Sequence, residues 1–213
     1  MRITQAEILR LRRRHQGYWM VLATEVALLL LLPLAQVRIG LLSVLLILLA
    51  LVLMAFISRY SPLRRSRPLI FGLGALAIVM EIFWHLALTL WPSLGRSFTI
   101  PHVIIWVLFL SVAVYRKVRT LTQEPFVTVS VVMGAASGYL LVGMAGGVLL
   151  TALWVLDPAA YELSALPAVG STAALPNVVV APALMAASFT MLTTIGTTVL
   201  KTSNVAGQVV TTV

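Results

Sequence analysis

Long apolar runs separated by short basic or proline-containing clusters organise this chain. The runs are Tyr18–Val37, Gly40–Ile57, Leu69–Leu90, Ile100–Tyr115 and Phe126–Leu156. A helix needs about 20 apolar residues to cross a bilayer, so five spans are expected. The fourth is near the lower limit and should run upright or be shielded by neighbours. The fifth, longer than one crossing needs, should tilt or begin along the interface after Pro125. Gln36–Gly40 is a tight connection that makes the first two spans a helical hairpin, and Trp91-Pro92 ends the third. In the fifth run Gly134 and Gly138 are four apart, as are Gly143 and Gly147. Such spacing lets helix backbones approach closely, in the same subunit or a neighbouring one. The fold class is therefore an all-α membrane protein.

Composition agrees with the pattern. The chain has 213 residues, 61% of them hydrophobic and 10% charged, with mean hydropathy +1.05. A soluble domain cannot hide that much apolar surface. The net charge of +9 lies in short clusters between apolar runs, which suits membrane topology and not a phosphate-binding face, so no nucleic-acid partner is expected. Cysteine is absent, which excludes disulfides, thiolate metal sites and thiol catalysis. Residues 1–17 read either as an amphipathic helix on the membrane surface or as a disordered tail. Residues 1–36 lack a small-x-small cleavage pattern around Leu34-Ala35-Gln36, so the first span reads as retained and not as a signal peptide. With residues 1–17, 58–68 and 116–124 in the cytoplasm, twelve Lys/Arg face inward and only Arg38, Arg96 and Lys201 outward. This positive-inside bias predicts a multi-pass protein of the plasma or inner membrane with a cytoplasmic N-terminus.

The stretch Ser188–Thr198 breaks the apolar pattern. Hydroxyls and one glycine replace leucines directly after the amphipathic segment Pro182–Leu192. Irregular backbone at membrane depth is tolerated only where it lines a cavity or is buried in protein. The stretch therefore predicts a short helix that enters the membrane, stops, and returns as extended chain. Here Ser188-Phe189, Leu192-Thr193-Thr194, Ile195 and Gly196 resemble the pore loop of potassium channels, in which a pore helix ending Ser-Phe-x-x-Leu-Thr-Thr runs into the filter Thr-Val-Gly-Tyr-Gly. The close match is about ten residues long. Thr197 stands in place of the filter tyrosine and Thr198 in place of its second glycine. A β-branched residue resists the positive φ that glycine allows there, so the outermost ion site departs from the family pattern.

The resemblance implies a six-helix channel plan: five transmembrane helices, a re-entrant pore helix over 182–192, a filter loop over 193–198 and the start of a sixth helix. Residues 1–17 would be the cytoplasmic basic segment, 18–119 a four-helix domain in a sensor-like position, and 120–213 the pore module. The filter residues would be Thr193, Thr194, Ile195, Gly196, Thr197 and Thr198. The permeant ion would be K+ or another monovalent cation, with no other cofactor. A single pore loop per chain implies a homotetramer in the lipid bilayer, because the filter is a ring of carbonyls. A voltage sensor needs basic residues at every third position within its fourth span. Pro101–Tyr115 contains none, so voltage gating is not expected, and Arg116 and Arg119 read as topogenic anchors. Residues 202–213 reach about 18 Å at 1.5 Å per residue, short of a full crossing. A truncated chain, an incomplete gene product or a remnant would end this way.

Four ionisable groups fall at membrane depth: Glu25, Glu81, His85 and His102. Such groups are costly and usually face a protein interior. Glu81 and His85 are one turn apart and within hydrogen-bond reach on one helical face. The set reads either as a proton-responsive cluster or as structural contacts fixing helix packing, with a metal site a weaker third option. No nucleotide loop, zinc-helix pair or catalytic triad pattern is present, so an enzyme is not expected. Besides the channel, a non-conducting scaffold or channel remnant and a small proton-coupled transporter fit the chain.

Overall fold

Glycine at position 40, with φ of 89°, turns the chain back on itself in a conformation that a side chain would oppose, and the first helical hairpin forms around it. In the computed structural model, α1 (Gln5–Val37) and α2 (Leu41–Tyr60) are its two arms. They are followed by α3 (Arg67–Leu90), α4 (Pro92–Thr122), α5 (Val129–Leu156) and α6 (Asn177–Leu192). Two two-residue strands, β1 (Tyr161–Glu162) and β2 (Lys201–Thr202), pair antiparallel, Tyr161 opposite Thr202 and Glu162 opposite Lys201. The structure describes residues 5–38, 40–60, 67–124, 126–162, 177–193 and 201–202.

Among the described residues, four helices are long and apolar enough to cross a bilayer: Gln16–Gln36, Pro68–Leu90, Pro92–Thr122 and Val129–Leu156. The chain is thus a multi-pass membrane protein. The apolar parts of α2, Leu41–Ile57, and of α6, Val180–Leu192, are shorter. Lateral placement agrees with a lipid environment: Leu30, Val79, Ile82 and Leu86 are exposed, while Glu25, Glu81, His102, Arg116 and Lys117 are buried. Water would invert that arrangement; hydrocarbon favours it.

Two boundaries differ from expectation. The basic N-terminal stretch is helical from Gln5 and continuous with the first span, so α1 runs 33 residues, about 50 Å at 1.5 Å per residue. The fourth helix begins at Pro92 and runs to Thr122, 31 residues where Ile100–Tyr115 was expected. Pro92 at its first turn is preset for helix and needs no N–H partner, so only Trp91 separates α3 from α4. Gly95 makes the sharp reversal possible, since a Cβ there would meet the backbone N of Leu88 at 2.8 Å.

The hairpins assemble around a core in which Leu28, Leu49, Leu53, Ile70, Trp106, Phe109, Leu110, Leu141 and Met144 are fully buried. Thr128 caps α5, its hydroxyl accepting from the N–H of Val131 at 3.4 Å. The α5 glycines then divide between two partners. A Cβ on Gly134 would meet Leu121 and Tyr18, whereas one on Gly147 would meet Met185 Cα at 2.7 Å and one on Gly143 the Phe189 ring. Both close contacts lie within this chain. The second set seats α6, around which Leu150, Trp154, Tyr161, Val180 and Leu184 form a smaller core.

Candidate functional site

At the end of the bundle marked by Gly40, α3 presents Glu81 to α4. One carboxylate oxygen, Oε2, lies 2.6 Å from His102 Nε2 and accepts from Trp106 Nε1 at 2.6 Å. Ser43 of α2 also donates to this carboxylate. His102 and Trp106 are four residues apart, so one face of α4 carries both. Trp84 stacks on the His102 ring, parallel to within 4° at 4.7 Å between centroids, and its Nε1 donates to Thr99 Oγ1 at 2.9 Å. Glu81 and His102 are buried, 2% and 6% exposed. A cavity of about 60 Å³ opens beside them, reaching Met185 and Ala181 of α6.

His85, expected as Glu81's partner, is not. The acidic side chain turns to α4 instead, because α3 and α4 pack antiparallel from Leu88 and Gly95 to Gly74 and Phe109, which brings His102 and Trp106 against Glu81. The His85 ring sits against the Gly40 turn, where a Cβ would be 3.2 Å away, and its Nδ1 has no hydrogen-bond partner among the described residues. No group of three or more metal-ligating side chains occurs among the described residues.

Glu25 belongs to a second polar cluster at the opposite half of the bundle. Ser137 of α5 donates to Glu25 Oε2 at 2.5 Å and accepts from Lys117 Nζ of α4 at 2.6 Å, so one hydroxyl joins three helices. Lys117 also lies over the rings of Phe56 and Tyr18, 5.1 and 5.8 Å from their centroids. The Tyr18 hydroxyl in turn donates to Glu124 Oε1 at 2.8 Å. Arg116, expected with Arg119 as a topogenic anchor, is only 3% exposed, as is its neighbour Lys117, whereas Arg119 reaches Tyr115 at the surface. The extension of α4 past Tyr115 carries Arg116 and Lys117 into the bundle instead of leaving them in a loop.

The third feature is the junction of α5 and α6. Ser188 donates to the Gly143 carbonyl at 2.8 Å, and the Tyr139 hydroxyl donates to the Leu192 carbonyl at 2.7 Å. The successive contacts Gly147 with Met185, Gly143 with Phe189 and Tyr139 with Leu192 show α6 running antiparallel to α5. Thr193 bonds back through its hydroxyl to the Phe189 and Thr190 carbonyls at 3.0 and 3.2 Å, terminating the helix. Thr194, Ile195, Gly196, Thr197 and Thr198 lie outside the described residues, as do 203–213 where a further helix was expected. Beyond the spans, burial pushes the Tyr161 phenol up to about 12.

The sequence singled out Glu25, Glu81 and His102 but not Ser137, Lys117, Trp106 or Ser43, which contact the two carboxylates. Ser137 is one small residue among many in α5, and Lys117 sits in a basic cluster that reads as an anchor. Only the i, i+4 spacing of His102 and Trp106 was a usable signal. No family model matches the chain, and neither a curated protein nor a solved structure matches it.

Proposed function

We propose that the chain is a subunit of a homotetrameric, potassium-channel-like cation channel, with Thr194, Ile195, Gly196 and Thr197 of each copy contributing to a shared filter. The observation that carries this is where α6 stops. Its last carbonyl is held by Tyr139, 17 residues before Leu156 and so about 25 Å along α5 from that helix's end. By Lys201 the chain is again beside Glu162, in the short segment that follows α5. A helix that halts part-way along its neighbour is what a pore loop starts from: a half-crossing helix, followed in that plan by extended chain whose carbonyls face an aqueous axis.

The remaining parts suit the same plan. Ser188 anchors α6 against α5 from behind, and the glycines at 143 and 147 let the two backbones close. The negative end of the α6 dipole would face a cavity where cations gather. The four preceding helices would occupy a sensor-like position without gating arginines, and the positive-inside bias puts the N-terminus in the cytoplasm of the cell that holds this protein in its plasma or inner membrane. A proton carrier gains less support. Its acidic candidates fall in two clusters, and on α4 the buried, apolar Phe109, Leu110 and Ala113 lie between His102 and Lys117.

The test uses the absence of native cysteine. In liposomes, Thr194→Cys and Thr197→Cys should react with a membrane-impermeant maleimide from the same side as Ser93→Cys, K+ should slow that reaction, and Thr194→Ala should abolish K+ flux. Labelling from the opposite side, or none at either position, would end the pore-loop proposal; labelling without flux would favour the non-conducting scaffold.

A further inference from the structure

Where α1 leaves the bilayer, the helix does not stop. Its apolar, spanning part begins at Gln16, yet the helix itself starts at Gln5 and is continuous through that point. Residues 5–15 therefore carry the axis of the span about 16 Å beyond the hydrocarbon instead of lying flat along the surface. Arg14, Arg13 and Arg12 stand two, three and four residues before Gln16, about 3–6 Å outside that boundary, and Arg10 about 9 Å outside it. A headgroup layer is about 5–8 Å deep on each side of the hydrocarbon, so three of the four arginines share the level of the lipid phosphates. At about 100° per residue, positions 12, 13 and 14 step through about 200° of the circumference, and position 10 falls between the last two.

Charge balance favours an anionic partner at that depth. No Asp or Glu lies between Arg10 and Glu25 in the sequence. Glu124 comes to this end of the bundle, bonded to Tyr18, so four arginines against one acid leave 4 − 1 = +3. Arg116 and Lys117 are turned into the bundle and present no charge to lipid. A partner dissolved in water would meet the outer turns of α1 first. Those turns, residues 5–9, hold one charged residue, Glu7, and it is acidic. Positive charge spread around an upright helix at headgroup depth instead suits the lipids that surround it.

We infer that Arg10, Arg12, Arg13 and Arg14 form a collar that binds the headgroups of anionic phospholipids where α1 emerges from the bilayer. A guanidinium pairs with a phosphate through two parallel hydrogen bonds, and each basic residue close to an anionic surface strengthens binding about fivefold. The collar is independent of the proposed filter and of which side of the membrane it occupies.

The absence of native cysteine supplies the reporters. Met20 and Leu90 are exposed at opposite ends of the bundle. A bimane on Met20→Cys or Leu90→Cys, with the full chain in phosphatidylcholine nanodiscs, is quenched by brominated lipids that reside beside it. At Met20→Cys, brominated phosphatidylglycerol should be favoured over brominated phosphatidylcholine by at least about tenfold at low salt. The preference should be at least about fivefold weaker at Leu90→Cys. Salt at about 1 M should remove most of it, because the screening length falls to about 3 Å. Replacing Arg12, Arg13 and Arg14 together by Gln should bring the Met20→Cys preference to within about twofold, whereas Arg119→Gln should leave most of it. If the triple variant fails to fold, the contrast between the two reporters and the response to salt decide the matter. Equal occupancy at Met20→Cys, a matching preference at Leu90→Cys, or a preference that survives salt or the triple substitution would each overturn the collar. Displacement of phosphatidylglycerol by soluble polyphosphate at equal phosphate would place the partner in water and overturn it as well.

Discussion

Lys117 is the residue whose setting departs most from its sequence context. It follows a tyrosine and an arginine at the end of an apolar run, yet its ammonium is buried between the Ser137 hydroxyl and two aromatic rings, in electrostatic contact with Glu25. Removing one member of a buried ion pair strands the other, at a cost of about 3–5 kcal/mol, whereas removing both can be nearly neutral. Lys117→Met should thus lower the thermal unfolding midpoint of the purified protein strongly. The double substitution Glu25→Gln with Lys117→Met should recover much of that loss. Equal midpoints for the single and double variants would show that the two charges do not depend on each other. Ser137→Ala should fall between, because the hydroxyl links the pair. Glu25 was legible in the sequence because an acid in an apolar run is conspicuous. Its partners were not, since Ser137 is 112 positions away and nothing local marks it.

At the scale of elements, glycine placement decides how close α5 and α6 come. Gly147 faces Met185 backbone, with 2.7 Å from the position of an added Cβ to Cα, while Gly72 of α3 has nothing within 4 Å. Overpacking costs about 1–3 kcal/mol, and Gly→Ala in an unobstructed helix is worth roughly 0.5–1 kcal/mol in the other direction. Gly147→Ala should destabilise the fold and Gly72→Ala should be neutral or stabilising, as read by detergent-resistant folded fraction on heating. The same glycine spacing announced close helix contact in the sequence, but the partner could be named only once α6 was seen lying on it. Helix lengths show a comparable split. Apolar run length located the four helices long enough to span and the shorter α2, yet α4 was underestimated at both ends, because its first turns are polar and its last carry basic residues that the bundle buries.

For the whole molecule, the order of hairpins sets which ends share a side. Gly40 lies against His85, α3 turns into α4 at Trp91, and α5 returns to Asp157, so these positions belong to one face of the bundle. Tyr18 and Glu124 meet at the other. A chain without cysteine allows this to be mapped directly. Ser93→Cys and Asp157→Cys should be modified from one side of a sealed vesicle and Gln123→Cys from the opposite side. Modification of Gln123→Cys from the same side as Ser93→Cys would contradict a membrane-crossing α4.

Hydropathy alone determined that this chain lives in a bilayer and roughly where its helices run, because hydrocarbon imposes continuous apolar stretches that no other environment demands over such lengths. It also picked out the acids that had to be neutralised or paired. Which groups meet them, where α6 halts along α5, and that Arg116 and Lys117 turn inward were decided only by tertiary packing. Those outcomes depend on contacts between residues far apart in sequence, and a helix's own pattern does not specify the face its neighbours will cover.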